Sequence, residues 1–486
     1  MTKSESLPIG SVFLRGLLVA SAAAGLALGS MALGGSAEAS VTFEQVGDDI
    51  EGTSAGDRSG AVSLSGDGNR VAIGAPGNDD GGPGAGQVRV FGLDTTTSVW
   101  NQVGGDIVGA PGVPDFGSAF GGAVSLSADG NRIAVGAQTV GAADGSGPGQ
   151  VSVFDWDGNG WVRVGDAIDG EQEGAFGRSV ALSADGTRVA GGAPVYPCTP
   201  GCVVAGYAAV FESGVPTPAW SLVGPLYVGE ESEQMGTSVS LSADGSRLAV
   251  SSQLRAQVFE WVTATSTWVQ QGSDLVDAGR VDLSDNGNRV AVAARRPGGE
   301  RAVRMFDWNE ADSTWVQLGS DLEGPVEGVE FAAAMALSGD GKRIAVGAPG
   351  AAQPIGAEPT GEDPGQVVLY DWDAGKAQWV QVGVALDGEA AYDRFGESVA
   401  LSTDGSRLAV GAPGNDGNGT ESGHVRLYDV DGGSAVQPTT TVNSVDVTLP
   451  ETGGGGAGVL AAVACGLVCL GALLLARSRS GLGFRR

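Results

Sequence analysis

The stretch Val399-Ala400-Leu401-Ser402-Thr403-Asp404-Gly405-Ser406-Arg407-Leu408-Ala409-Val410 holds two short apolar runs joined through Asp-Gly. Such a dipeptide between two β-forming runs is a strong hairpin signal. The same order, an apolar strand ending L-S-x-D-G-x-R or a near variant, recurs at Leu64, Leu126, Leu182, Leu241, Leu283, Leu337 and Leu401. Its arginines are Arg70, Arg132, Arg188, Arg247, Arg289, Arg343 and Arg407. The copies are spaced by about 40 to 65 residues, the range of propeller blades.

Each copy continues alike. A second strand is fullest at Val71 to Pro76 and Leu408 to Pro413, and degrades at Leu248-Ala249-Val250-Ser251 and Val290-Ala291-Val292-Ala293. A third follows, as in Gln87-Val88-Arg89-Val90-Phe91 or Gln366-Val367-Val368-Leu369-Tyr370. The fourth, W-V-Q-V-G, is headed by Trp100, Trp161, Trp220, Trp268, Trp315 and Trp379. Its seventh copy, Phe43-Glu44-Gln45-Val46-Gly47, comes before the first L-S-x-D-G, whereas the last unit stops at His424-Val425-Arg426-Leu427-Tyr428. The N-terminal strand is therefore expected to complete the last blade, removing the open sheet edges that invite aggregation. The expected fold is all-β, a seven-bladed β-propeller of four-stranded antiparallel blades over residues 40–430. A β-solenoid would have shorter repeats and no displaced strand.

The last unit, Phe395-Gly396-Glu397-Ser398-Val399 with Gly411-Ala412-Pro413, resembles the FG-GAP repeats of integrin α-chain propellers and microbial surface proteins. Phe116-Gly117, Phe176-Gly177, Gly74-Ala75-Pro76, Gly192-Ala193-Pro194 and Gly347-Ala348-Pro349 carry the same signature. Many members bind calcium in a D-x-N-x-D-G-x-x-D loop. Here the matching stretch, Ser402-Thr403-Asp404-Gly405-Ser406-Arg407, offers one carboxylate, too few for the six to eight oxygens calcium takes. The repeated Asp is expected to shape the turn, and the Arg to neutralise nearby acids or stack between blades.

At the N-terminus, Lys3 and Arg15 precede an apolar run from Leu17 to Leu33 and Ala37-Glu38-Ala39, the order of a signal peptide (residues 1–39) cleaved after Ala39. At the other end, a linker (431–448) leads to Leu449-Pro450-Glu451-Thr452-Gly453. An apolar transmembrane segment (457–476) and a basic tail (477–486) follow, with Arg477, Arg479, Arg485 and Arg486. This resembles an LPxTG sortase sorting signal, which implies cleavage after Thr452 and transfer to a peptidoglycan precursor. A span of roughly 18 apolar residues is just long enough for a bilayer, and the arginines would hold the tail inside. Display at the cell wall is expected, a single-span plasma-membrane protein being the other reading.

The formal net charge of −30 argues against nucleic acid or anionic membrane as partners. Cys198 and Cys202 sit in one short loop, where an exported chain can form a disulfide. His424, the single histidine, stands where other units carry Gln87, Gln150, Gln257 and Gln366, which is a structural position. In a four-stranded blade, the second-to-third-strand loops and the blade-to-blade links share one face. The long irregular loops Gly77 to Gly86, Gln138 to Gly149, Val195 to Gly206, Gly350 to Gly365 and Gly414 to Gly423 all fall there, so recognition is expected on that face. Links rich in Asp and Glu should make it acidic, apart from a low sector with Arg255, Arg295, Arg296 and Arg301. Asp79, Asp80, Asn415, Asp416 and Asn418 are candidate calcium ligands in its Gly-rich loops. No catalytic residues and no other cofactor are expected. The function that follows is surface-displayed binding or adhesion toward an extracellular protein or glycan. The alternatives are a propeller-type glycan-processing enzyme, which would need paired carboxylates or an Arg cluster in the channel, and a membrane-anchored structural protein.

Overall fold

The L-S-x-D-G-x-R turns fold through one repeated set of hydrogen bonds. In the first, Ser65 Oγ donates to Asp67 Oδ1 (2.6 Å), Asn69 N donates to the same oxygen (3.0 Å), and Arg70 N donates back to Ser65 Oγ (2.9 Å). The Ser–Asp bond recurs at Ser127, Ser183, Ser242, Ser338 and Ser402, with Asn286 replacing the acid beside Ser284. Burial pushes these carboxyls up, but the hydroxyl and amide donors outweigh it and hold Asp67, Asp129, Asp185, Asp244, Asp340 and Asp404 below the usual range.

The arginine then ties each turn to its neighbour. Arg70, Arg132, Arg188, Arg247, Arg289, Arg343 and Arg407 each donate from Nη1 to the Asp-Gly or Asn-Gly glycine carbonyl of the next blade, at 2.7 to 3.1 Å, and Arg407 reaches Gly68 of the first. Arg132, Arg289, Arg343 and Arg407 also pair with Asp155, Asp307, Asp371 and Asp429 of their own blades. A second ring of seven backbone bonds runs inside the first: Gly66 N to Ala128 O, and onward through Ala184, Ala243, Asp285, Gly339 and Thr403 back to Gly66.

These rings organise seven sheets. The computed structural model describes residues 41–430 apart from 111–118, 139–146, 172–173, 196–204, 215–218, 231–232, 297–300, 325–329 and 351–363. Phe116-Gly117, Cys198, Cys202, the segment ending at Ala39, and Leu449 to Gly453 with their flanks lie outside the described residues. Among the described residues no helix is long and apolar enough to cross a membrane. Blade 1 runs Ala61–Leu64, Arg70–Ala75, Gln87–Asp94 and Val99–Gln102 from axis to rim. Blades 2 to 7 repeat this order from inner strands Phe120–Leu126, Ser179–Leu182, Ser238–Leu241, Ala278–Leu283, Ala334–Leu337 and Ser398–Leu401. Blade 7 takes its outer strand from the N-terminus, with Phe43 opposite Val430 and Gln45 opposite Tyr428, and Ile50–Glu51 adds on Val425 and His424.

In six blades the fourth strand is two short segments rather than one. Gly104 sits at φ +78 between Val99–Gln102 and Ile107–Val108, and both pieces stay on Gln87–Asp94. Only in blade 6 does it run unbroken, as Gln378–Asp387. The FG position of blade 2 belongs to Phe120-Gly121, four residues beyond the Phe116-Gly117 expected, and Phe120 bridges Gly86 as Phe176 bridges Gly149 and Phe395 bridges Gly365.

The hydrophobic core is divided among the blade interfaces. Seven buried clusters each span two neighbouring blades; one joins Val71 and Ile73 of blade 1 to Val425 and Leu427 of blade 7. At the rim, the six outer-strand tryptophans staple the same interfaces. Each indole Nε1 donates to a carbonyl of the preceding blade, at 2.9 to 3.1 Å, as Trp161 does to Val103 and Trp268 to Val223. Burying a ring while satisfying its single donor is the use to which tryptophan is suited.

Candidate functional site

Because the core lies between blades, the axis is open. A cavity of about 1510 Å³ occupies it, walled by the inner strands and rimmed by Pro76, Gln138, Pro349 and Pro413 of the second-to-third-strand loops and by Arg58, Glu330 and Tyr392 of the links. The loops and links therefore share one face, as the strand count requires.

The residue that follows the link glycine projects into this mouth. It is Ala61 in blade 1, Gly122 in blade 2, Arg178 in blade 3, Thr237 in blade 4, Arg280 in blade 5 and Glu397 in blade 7, and all six line the cavity. Glu397 is engaged by Arg394 (2.9 Å). Arg178 and Arg280 make no side-chain hydrogen bond or ion pair among the described residues. Enclosure by the cavity walls, then the like charges of Arg178 and Arg301, holds the Arg280 guanidinium below its usual value against the pull of Glu397.

Lower in the cavity stands Asp282. Ser63, Ser125 and Ser240 occupy the same strand position in blades 1, 2 and 4, and each hydroxyl accepts the amide of the next blade's leucine at 3.0 Å. Asp282 does this for Leu337 N (2.7 Å) and also accepts Ser240 Oγ (2.9 Å). Burial pushes its carboxyl up to about 6, against these two donors and the Leu283 amide (3.1 Å). A folded pKa above the ordinary value of 3.8 means that stability is full below about pH 4 and falls as the pH rises through 6. Asp282→Asn keeps an oxygen for Leu337 and loses the charge. It is expected to be more stable than the parent by about 2 kcal/mol at pH 8, with the gap closing below pH 4, in urea unfolding at both pH values. A gap of equal size at both would assign the effect to packing.

The acidic links are less free than composition implies. Asp57 and Asp393 are buried, accepting Thr53, Ser54 and Asn78 in one link and Ala390 and Asn415 in the other. The low sector is likewise less basic than expected: Arg255 binds Glu233 (2.8 Å) and Asp274 (2.6 Å), and Arg296 binds Glu323 (2.9 Å).

The candidate calcium ligands serve their own loops. Asp79 accepts Gly84 N, Asp80 accepts Asn78 and Gln87, Asp416 accepts Glu421 N, Asn415 accepts Gly417 N, and Asn418 donates to the Gly52 carbonyl. One cluster with metal-ligand chemistry occurs among the described residues, Asp49, Glu389 and His424. Arg426 Nη2 already reaches both Asp49 (2.5 Å) and Glu389 (2.6 Å), and burial keeps the His424 imidazole below its usual pKa and so neutral. The arginine supplies the positive charge that a cation would bring.

The model of the FG-GAP repeat family matches residues 379–428, the outer strand of blade 6 and the first three strands of blade 7. No curated protein matches the sequence. Among solved structures the chain is similar to the β-propeller domain of Myceliophteria thermophila Cps50 (Swd1), at 14% identity over 80% of this chain and 100% of that one, with a TM-score of 0.50. That likeness concerns the fold alone.

Proposed function

We propose that this chain is an exported, non-catalytic binding propeller, covalently displayed at the bacterial cell wall, that recognises its ligand with the loop-bearing face. The observation that carries the binding reading is the division of labour within the repeat. The Asp-Gly turns, arginines and tryptophans are consumed in joining blades, whereas the residues that vary from blade to blade converge on the mouth of the cavity. The carboxyl whose titration best suits proton transfer, Asp282, is committed to Leu337 and Ser240, which favours binding over glycan processing. An FG-GAP match is compatible with export. Anchoring rests on the order of signal peptide, Leu449 to Gly453, apolar span and arginine tail.

Intact mass and fractionation of the native protein test it. The expected chain begins at Ser40 and ends at Thr452 joined to a wall fragment. A chain that keeps Arg486 and partitions with membranes would replace wall anchoring by a single-span anchor.

A further inference from the structure

We propose that the cavity mouth over blades 3 to 5 binds the carboxylate or sulfate group of an acidic saccharide between Arg178 and Arg280. The proposal rests on the binding reading above and names its ligand class.

Arginines in this chain are nearly all employed. Seven tie the Asp-Gly and Asn-Gly turns together, Arg58, Arg255, Arg296, Arg304, Arg394 and Arg426 form ion pairs, and Arg89 donates to the Glu51 carbonyl. Among the described residues five make no side-chain hydrogen bond or ion pair: Arg163 on an outer strand of blade 2, and Arg178, Arg280, Arg295 and Arg301. The last four belong to blades 3 and 5. Arg295 and Arg301 face each other across the second and third strands of blade 5, at the same end as the cavity mouth.

With 57 acidic residues against 27 Lys and Arg, acids to pair with them are plentiful. Four cations without a hydrogen bond or ion pair among the described residues share this sector, and at Arg280 the repulsion of Arg178 and Arg301 is only partly offset by Glu397, which leaves a locus of positive charge inside an acidic molecule. An oxyanion seated there relieves that repulsion, and a guanidinium fork matches a carboxylate or sulfate with two parallel hydrogen bonds. The wall beneath carries the hydroxyls of Ser179, Thr237, Ser238 and Ser240. Tyr392 is the single aromatic side chain among the described lining residues, whereas peptide interfaces lean on buried Tyr and Trp anchors. The volume of about 1510 Å³ exceeds the roughly 300–1,000 Å³ of a drug-sized pocket, so several sugar units fit.

Calorimetric titration of the full chain in mild detergent at low ionic strength tests this, with a glucuronate-bearing tetrasaccharide, its neutral glucose counterpart and tetraglutamate as probes. The acidic sugar is expected to bind at least about tenfold more tightly than the neutral one, and added salt is expected to weaken it. R178Q/R280Q is expected to remove that preference and R163Q to leave it. Among the described residues neither guanidinium has a hydrogen-bond or ion-pair partner, so the double variant should keep the parental melting temperature; if it does not, R178Q alone is read. Equal binding of acidic and neutral sugars, or binding untouched by the double variant, overturns the proposal while sparing the binding reading. Tighter binding of tetraglutamate overturns its saccharide class, and retention of none of the probes at any salt concentration overturns the site.

Discussion

Removal of residues 41–51 is expected to destabilise the entire ring, lowering the thermal midpoint by about 10 °C or more and driving aggregation. The segment carries Phe43–Gln45 and Ile50–Glu51, the outer edge of blade 7. Without it the strand His424–Val430 becomes an exposed edge bearing Tyr428 and Val430, which the closed ring buries. The loss spreads to both neighbours. Ile50 belongs to the core between blades 7 and 1, Trp100 of blade 1 donates to the Val46 carbonyl, and Arg426 would lose its bidentate partner Asp49. Glu389 alone would then face that largely buried guanidinium, a weaker match than the two carboxylates it has in the closed ring. Differential scanning calorimetry gives the midpoint. Moving the segment behind Val430, through the 95–98 turn that joins the same strands in blade 1, is expected to restore it. A truncated chain that melts as the parent does would show that blade 7 closes without its N-terminal strand. At the same place Phe43 lacks the indole donor that the other six units have, so Phe43→Trp is expected to add about 1 kcal/mol through a bond to the Val382 carbonyl.

The ring and its closure were legible because each depends on a local pattern repeated along the chain. Asp-Gly turns, period-two strands and the displaced Phe43 copy are visible in one dimension, and register follows from their order. The expectation that Arg would act between blades held for the same reason. Two things were not legible. One is which acids and arginines are free: Arg255 and Asp274, or Arg426 and Asp49, meet only after strands pair, so counting charges in loops overstated both the acidic face and its basic sector. The other is the cavity mouth. Arg178 and Arg280 are far apart in the chain, and what unites them is the glycine each follows, Gly177 and Gly279. The Phe-Gly signature directs attention to the pair before the residue that matters.

That signature has its own physical cause, which the second large effect measures. Gly136, in the second strand of blade 2, lies against Gly177 of blade 3 so closely that a Cβ on it would sit deep inside contact distance of the Gly177 carbonyl oxygen. The same approach joins Gly74 to Gly121, Gly192 to Gly236, Gly347 to Gly396 and Gly411 to Gly60. The obstruction is backbone, which no rotamer change relieves. Gly136→Ala must therefore push blade 3 away from blade 2, opening the cluster that packs Ala134, Val151 and Val153 against Phe176 and Val189. In a closed ring that displacement is passed on to every other interface. An expected loss of about 3 kcal/mol or more follows, at the upper end of overpacking penalties. Urea unfolding of Gly136→Ala beside Gly105→Ala measures it, because a Cβ at Gly105 meets nothing within 4 Å and should change little. Blade 4 sets the limit of the rule: Ser251 stands at this place, and its hydroxyl donates to the Gly279 carbonyl at 3.1 Å. Opposite it the register of blade 5 shifts between Ala278 and Val281. If Gly136→Ala proves as mild as Gly105→Ala, blades 2 and 3 have the same slack, and the glycines of the repeat are there for turns and not for the closeness of the blades.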